Sequence, residues 1–270
     1  MKDSHVHTLA SHDGRSRIGE YVDRAREIGI DEITFTDHWD DYLGVDTELS
    51  TIDVKRCYEV LLSEREKTDL KLNFGIEIGL RPHLAEKIKN LTEDYPFDFI
   101  IGSSHITKGM DLAFDSRFFE GLTRREAYMQ YFEEALRNVE GFSDYFDVYG
   151  HIDYIVRYGG YPEKSIEYAE FGEIIDEIFL SLIKRGKGIE INTSGYRYGL
   201  LAPHPNFELV KRYRELGGEI ITLGSDAHRA IDLASHFNEV GEPLLAMGFK
   251  EIAFYRNRMP EFYPIAEFLK

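Results

Sequence analysis

Eight short runs rich in β-branched and aromatic residues recur along the chain, and segments with helical periodicity separate most of them. Several runs are continuously apolar, as parallel strands are when helices cover the sheet. Repeated strand–helix alternation predicts an α/β fold, either a doubly wound sheet or a barrel. The runs are DSHVH (3–7), EITFTD (32–37), KLNFGIEIG (71–79), FDFIIGSS (97–104), FDVYGH (146–151), GIEINTS (188–194), EIITLGS (219–225) and EIAFY (251–255).

The segments between the runs carry recognisable helix ends. Thr123 and Glu126 have capping-box spacing before AYMQYFEEALRNV, and Asn206 is placed to cap NFELVKRYREL. No Pro/Gly/Ser-rich linker, low-complexity tract or internal repeat interrupts the alternation. The chain has 270 residues, 43% of them hydrophobic, so we expect residues 1–270 to form one domain of ordinary barrel size.

Polar side chains at the ends of the runs decide between the two architectures. An open sheet gathers its ligands at one switch point, whereas every strand of a barrel ends at the same mouth. Six of the first seven runs lead to side chains that can bind a metal ion, which favours a barrel. These side chains are His5, His7, Asp37, His38, Glu77, His105, His151, Asp226 and His228.

The stretch HVHTLASH near the N-terminus is the most concentrated part of this pattern. On a strand, His5 and His7 point to the same face with Cα atoms about 7 Å apart, close enough to share an ion. His12 follows where the chain has left the strand and could fold back over the same spot. The other three histidines are interpreted as ordinary loop or helix residues, although one of them, His204, follows a strand and could line the mouth; the three are His83, His204 and His236.

The number of candidate ligands predicts more than one ion. Seven histidines, Glu77 and Asp226 make nine candidates, whereas zinc and similar ions take three or four protein ligands. Glu77 lies in the apolar run GIEIG, where an unpaired carboxylate would be costly to bury. Coordination to a cation, bridging two ions, explains it, and we expect two or three divalent ions in total.

Charge and cysteine content exclude several kinds of partner. A net charge of −17 argues against nucleic acid, which needs a basic stripe, and against an anionic membrane, while it tolerates a cationic substrate. Cys57 is the single cysteine, so no disulfide forms within the chain. The N-terminus has no apolar signal-peptide region and no window approaches eighteen apolar residues, so we expect a cytoplasmic protein.

Six motifs, taken in order, resemble the PHP (polymerase and histidinol phosphatase) family. The resemblance covers essentially the whole chain and implies a distorted TIM-like (β/α)7 barrel, with seven strands rather than eight, around a trinuclear metal site. Chains of this length resemble the members that act on L-histidinol phosphate in histidine biosynthesis. The motifs are H-V-H (5–7), T-D-H (36–38), G-I-E-I (75–78), S-S-H-I (103–106), G-H-I-D (150–153) and S-D-A-H (225–228).

The resemblance also implies how the ligands are shared. It assigns the first ion to His5, His7, Glu77 and Asp226, and the second to Glu77 with His105 and His151. It assigns the third ion to His12, His38 and His228. Two departures from the family pattern stand out: Gly79 occupies a position that is often acidic, and the loop around His12 varies in the family.

The implied reaction is hydrolysis of a phosphate monoester by a metal-bound hydroxide, because clustered ions lower the pKa of water. Asp37, Asp153 or a metal-bound water is expected to protonate the leaving group. Arg157 and Arg197 follow barrel strands and are expected to bind the phosphate. Imidazole and carboxylate ligands suit zinc, iron and manganese alike.

Three other functions fit parts of the pattern. Another PHP-family phosphoesterase would share every ligand and differ only in its ester. A binuclear amidohydrolase would also begin with H-x-H, but it would place a bridging lysine at the position of His105. A metal-stabilised domain without activity would keep the ligands and show no turnover.

Overall fold

Seven parallel strands surround a common axis in the computed structural model, which describes residues 1–40 and 52–268. The strands are β1 (Lys2–Val6), β2 (Glu32–Phe35), β3 (His38–Trp39), β4 (Lys71–Gly79), β5 (Phe99–Ser103), β6 (Ile106–Thr107), β7 (Met110–Asp111), β8 (Val148–Tyr149), β9 (Gly188–Asn192), β10 (Ile221–Gly224), β11 (Glu251–Arg256) and β12 (Met259–Pro264). The parallel order is β1-β2-β4-β5-β8-β9-β10. At the seam the amide of His7 donates to the carbonyl of Ala227 at 2.9 Å, which nearly closes the sheet. The predicted seven-stranded barrel is confirmed.

Helices pack around the outside of the barrel. They are α1 (Ile18–Ile28), α2 (Val54–Arg65), α3 (Ala85–Asp94), α4 (Arg124–Phe142), α5 (Tyr168–Lys184), α6 (Ser194–Arg197), α7 (Phe207–Glu215), α8 (Phe237–Ala246) and α9 (Ile265–Phe268). Both predicted N-caps are present. Thr123 and Glu126 form a capping box, and Asn206 accepts from the amides of Glu208 and Leu209. No helix in the described part of the chain is long and apolar enough to cross a membrane.

The main hydrophobic core lies between these helices and the outer face of the sheet. In β4, Leu72, Phe74, Ile76 and Ile78 are buried on this face. The alternate positions, including Glu77, point inward because successive side chains on a strand face opposite ways. The inner face near the C-terminal ends of the strands can therefore carry polar residues.

The last predicted strand is a strand, but it does not join the barrel. It forms β11 of an antiparallel hairpin with β12, which we call the hairpin plug (residues 251–264). Ala253 and Tyr255 of the plug form a small cluster with Phe99, Ile101 and Val148, and the Phe99 and Tyr255 rings stack at 5.0 Å. The plug thus closes the end of the barrel at which the parallel strands begin.

Strand β3 explains how a residue beyond β2 reaches the centre of the site. After β2 ends at Phe35, Thr36 and Asp37 interrupt the pairing, and His38 then pairs with Glu77 of β4. This second short pairing continues the sheet upward. It carries His38 to the same level as Glu77.

Candidate metal centre

Eight of the nine predicted ligands converge at the C-terminal mouth of the barrel, and His12 lies at their edge. Glu77 is completely buried at the middle of the group. Its Oε2 lies 2.9 Å from His38 Nδ1 and 3.4 Å from His5 Nε2. Its Oε1 lies 2.8 Å from His151 Nε2 and 3.2 Å from His105 Nε2. One carboxylate therefore contacts imidazoles from four different segments of the chain.

The N-terminal pair meets Asp226 from the last barrel strand. His5 Nε2 and His7 Nε2 are 2.9 Å apart, and Asp226 Oδ1 lies 3.2 Å from His7 Nε2. Asp226 has a left-handed backbone with φ of 53°, which aspartate tolerates better than most residues. Such backbone strain clusters at functional sites, and here it accompanies a carboxylate aimed at two histidines.

A third group stacks on the ring of His7. The rings of His38 and His228 each lie 4.2 Å from the His7 ring, measured between centroids. His12 lies further out, 5.7 Å from the His38 ring. Asp13, which the sequence interpretation missed, brings its Oδ2 to 3.0 Å from His228 Nε2.

The electrostatics of the cluster reflect the competition between burial and close charges. Burial opposes ionisation of Glu77, but His5, His38 and His105 outweigh it and hold the pKa of Glu77 well below its ordinary value. Burial likewise disfavours the charged form of His38, yet Glu77 raises the pKa of His38 to about 9. His7 behaves oppositely, because burial and the neighbouring His38 lower its pKa well below 6.5. The carboxylates therefore favour positive charge in the cluster, but not all of the imidazoles are protonated.

The donor set fits a cluster of divalent ions. Glu77 Oε2, His38 Nδ1, His151 Nδ1 and His228 Nε2 are buried polar atoms that make no well-aligned hydrogen bond, although Glu77 Oε2 is 2.9 Å from His38 Nδ1 and His228 Nε2 is 3.0 Å from Asp13 Oδ2. Unpaired buried polar atoms are costly unless something binds them. Three groups of three ligands, each with its ligand atoms within 4.8 Å of one another, could hold an ion: His5–His7–Glu77, His7–His38–His228 and His38–Glu77–His105.

Two buried carboxylates that the sequence interpretation missed support the ligands from behind. Glu190 on β9 lies 2.5 Å from His5 Nδ1, and Asp40 lies 3.0 Å from His105 Nδ1. A Cβ at Gly79 would lie 1.8 Å from Asp40 Oδ1, so glycine at position 79 leaves room for Asp40. This accounts for the departure from the family pattern at position 79.

The two aspartates predicted as proton donors are hydrogen-bonded to neighbouring protein groups. The oxygens of Asp37 accept from Thr8 N at 2.6 Å, Thr8 Oγ1 at 2.8 Å and Ser11 Oγ at 2.7 Å, so Asp37 anchors the loop that carries His7 and His12. Asp153 is bound to His204 Nδ1 at 2.6 Å. The geometry does not support either carboxylate as the proton donor, because each is committed to neighbouring protein groups.

The two predicted arginines differ in position. Arg157 lines the cleft above the ligands, stacked between Tyr154 and Tyr198. Its Nε donates to His204 Nε2 at 3.0 Å, so Asp153 and His204 hold it in place. The geometry does not support Arg197 as a phosphate ligand, since it donates to the carbonyls of Ser225 and Asp226 and to Ser235 Oγ.

Above the ligands is a cleft of about 210 Å³. His105, His151, Asp226 and His228 form part of its floor, and Arg157 lies in its wall. Asp111, Phe114, Tyr158 and Tyr198 are among its other lining residues. The cleft therefore combines predicted metal ligands, an arginine, aromatic side chains and several carboxylates.

Comparison with known proteins identifies relatives of this arrangement. The model of the PHP domain matches residues 3–194. A histidinol-phosphatase from Lactococcus lactis is 32% identical over 259 residues, covering 94% of this chain and 93% of the relative. A crystal structure of histidinol phosphate phosphatase from Lactococcus lactis, complexed with zinc, L-histidinol and phosphate, matches with a TM-score of 0.85 at 29% identity, over 96% of this chain and 98% of that one. A structure from Listeria monocytogenes, 19% identical over 88% of this chain and 99% of that one, shares the fold with a TM-score of 0.72.

Proposed function

The chain belongs to the PHP domain family, and on that premise we propose that it is a metal-dependent phosphatase that hydrolyses L-histidinol phosphate to L-histidinol and inorganic phosphate. The observation that carries the proposal is the buried Glu77 carboxylate, surrounded by four imidazoles beneath a cleft that holds Arg157. Relatives with this name and a structure with zinc, L-histidinol and phosphate bound support it.

The nine ligands would hold two or three zinc, iron or manganese ions. Such ions, when bound, supply positive charge for the phosphate oxygens and lower the pKa of water. Glu77 would bridge the group of His5, His7 and Asp226 to the group of His105 and His151. His38 and His228 would hold a further ion, with His12 at its edge.

Arg157 would bind the phosphate from beside the ligands, because its Nη2 lies 3.4 Å from Asp226 Oδ2 and donates to Ser194 Oγ at 2.6 Å. Its guanidinium is always charged and would attract the phosphate oxygens, while Nε and Nη2 also donate to His204 and Ser194. Tyr154, Tyr198 and His204 fix its position, so little side-chain entropy is lost on binding. Asp153 and His204 are positioning residues in this proposal, since they act through the arginine.

The outer cleft suits the organic part of the substrate, which carries an ammonium group and an imidazole ring. Asp111 Oδ1 accepts from the amides of Ala113 and Phe114 at 2.8 and 2.9 Å, which fixes its carboxylate at the mouth. Phe114 and Tyr198 are exposed by 72% and 50% at the rim and offer faces for stacking. A negative charge and aromatic faces together favour a cationic heteroaromatic leaving group.

Phosphate release from L-histidinol phosphate and from a panel of other monoesters, before and after chelation, tests the proposal. We expect fast, chelator-sensitive turnover that prefers L-histidinol phosphate, with two to three ions per chain. Preference for another ester would overturn the substrate assignment but would not contradict the proposed metal site. A fully metallated chain without turnover on any ester would overturn the enzyme assignment.

Asp111→Asn sharpens the same experiment. The variant should lower kcat/KM for L-histidinol phosphate about tenfold, equivalent to about 1.4 kcal/mol. Hydrolysis of p-nitrophenyl phosphate, which has no cationic group, should be unchanged. An equal loss of kcat/KM on both esters would mean that Asp111 does not recognise the leaving group.

We also propose that the substrate is a small molecule rather than nucleic acid and that the protein acts in the cytoplasm. The net charge of −17 supports the first point, because polyanions would be repelled. The single cysteine, which is half-buried, is compatible with a reducing compartment. Cell fractionation, together with a binding assay against single- and double-stranded DNA, checks both points.

A further inference from the structure

Glu190 is a buried carboxylate that the proposed chemistry does not use. It lies on β9, almost completely buried, directly behind the N-terminal histidine pair. Three donors surround it: His5 Nδ1 at 2.5 Å from Oε1, and the amide of His151 and Asn192 Nδ2, each at 3.1 Å from Oε2. A carboxylate in such a place needs a reason, because burying a charge is costly.

The surroundings of Glu190 determine which nitrogen of His5 carries the proton. An ionised carboxylate only accepts hydrogen bonds, so His5 must donate from Nδ1. In the neutral ring, the other nitrogen, Nε2, then presents its lone pair toward His7, Glu77 and Asp226, from which it is 2.9 to 3.7 Å away. An imidazole in this tautomer is ready to bind a metal ion through Nε2.

Glycine at position 224 leaves room for the contact between Glu190 and His5. A Cβ at Gly224 would lie 2.5 Å from His5 Cβ and 2.6 Å from Glu190 Oε1. A Cβ at Gly150 would lie 3.4 Å from Glu190 Oε2 and 2.6 Å from Ser103 Oγ. The neighbouring strand β10 thus carries glycine where the carboxylate meets His5.

We propose that Glu190 is a positioning residue that fixes the tautomer of His5 and thereby sets the affinity of the ion held by His5, His7, Glu77 and Asp226. Asp40 does the same for His105 and a second ion. The inference rests on the proposed metal centre but not on the identity of the ester. Carboxylates behind metal-binding histidines raise the basicity of the ligand, and their loss usually lowers metal affinity 10- to 100-fold, roughly.

Glu190→Gln separates this role from simple packing, because glutamine has nearly the same shape. If its oxygen faces His5, its NH₂ group opposes two donors, the amide of His151 and Asn192 Nδ2. If its oxygen faces those donors, its NH₂ group opposes His5 Nδ1 and favours the tautomer with the proton on Nε2. The first arrangement sets two donors against an NH₂ group and the second favours the opposite tautomer of His5, so either one weakens the support that the carboxylate provides.

The test is zinc titration in competition with a chromophoric chelator, with ions counted per chain. We expect Glu190→Gln to weaken one ion about tenfold or more, Asp40→Asn to weaken a different one, and the double variant to weaken both. Glu32→Gln, the same change in a buried glutamate at the opposite end of the barrel, is the matched control and should leave all affinities unchanged. Wild-type affinity in Glu190→Gln would overturn the proposal.

A second measurement needs no variant and remains valid if Glu190→Gln fails to fold. In the zinc-loaded wild-type protein, nitrogen-15 NMR of the imidazoles should show His5 protonated at Nδ1, with a strongly downfield N–H proton. A proton on Nε2 of His5 would overturn the proposal. Both measurements are made without substrate, so they are decided separately from the question of which ester is hydrolysed.

Discussion

Glu77 and Glu32 are both completely buried, on neighbouring strands of one barrel, yet their surroundings are opposite. Glu32 lies at the plugged end, where Lys2 Nζ contacts it at 2.5 Å, Asn73 Nδ2 at 2.8 Å and the guanidinium of Arg256 binds both oxygens. Glu77 lies at the open end among imidazoles, and its Oε2 makes no well-aligned hydrogen bond. The chain itself neutralises one carboxylate, whereas the other requires protons or metal ions.

This difference assigns different roles to the two ends of the barrel: the plugged end stabilises the fold and the open end carries the candidate metal site. At the plugged end, Arg256 and Arg258 are permanently charged and hold Glu32 and Asp147. At the open end, the partners are histidines, whose charge is variable and whose nitrogens bind metals. A carboxylate paired with arginine stabilises the fold, and a carboxylate surrounded by histidine provides a site for cations.

Replacing each glutamate by glutamine tests this comparison most severely. Glu77→Gln removes the charge that bridges two groups of ligands, so kcat/KM should fall about a thousandfold or more, equivalent to about 4 kcal/mol. Metal content should fall with it. Glu32→Gln should keep both the activity and the metal content. A similar loss in both variants, measured by steady-state kinetics and metal analysis, would remove the distinction between the two ends.

Metal removal should affect the open end alone. Ions present at about a thousand times their Kd stabilise the folded state by about 4 kcal/mol, so chelation should lower Tm by about 10 °C. Hydrogen exchange should locate the loss in residues 5–13 and 225–229. Equal loss of protection in the hairpin plug would contradict the assignment of separate roles.

Arg258→Met should affect the plugged end alone. Arg258 Nη2 lies 3.0 Å from Asp147 Oδ1, and burial already raises the pKa of Asp147 against the effect of the arginine. Removing the partner of a buried charge should lower the free energy of unfolding by about 2 kcal/mol, measured in urea. Turnover of the metallated variant should equal that of the wild type, and a lower kcat would show that the ends are coupled.

The smallest expected effect is on the pH dependence of the free energy of unfolding. Burial opposes ionisation of Glu32, but Arg256, Asn73 and Lys2 lower its pKa below 4.5. The unfolded state therefore binds the proton first as pH falls, and the stabilisation is present above pH 4.5 and lost below it. The difference in unfolding free energy between wild type and Glu32→Gln should be largest near pH 6 and shrink below pH 4.5. A difference independent of pH would contradict this.

Much of the fold could be predicted from local patterns. Apolar runs and capping residues are local properties, so the strands, two helix N-caps and the barrel follow from the sequence. The eighth run was correct as a strand, but whether it joins the barrel or plugs it depends on contacts with Phe99 and Val148, far away in sequence. No local pattern encodes that choice.

Local patterns identified the side chains at strand ends that the fold brings together, but they did not identify the residues that contact those side chains from behind. Histidines at matched strand ends are visible because topology brings those ends together. Asp37 and Arg197 also follow strands, yet the structure turns them toward Thr8 and toward the carbonyl of Ser225. His204 was interpreted as ordinary, and only its contacts with Asp153 and Arg157 reveal its place.

One repeated tetrapeptide separates what the sequence determines from what the tertiary structure decides. GIEI occurs at 75–78 and again at 188–191, and in both places it forms a buried strand with an inward glutamate. Within the fold, Glu77 contacts Nε2 of His5 and Glu190 contacts Nδ1 of the same ring. Alternation along a strand makes each glutamate point inward, but the positions of β4 and β9 relative to β1 decide which nitrogen it meets. Identical local sequence therefore yields a proposed metal ligand in one strand and, in the other, a carboxylate proposed to position a ligand.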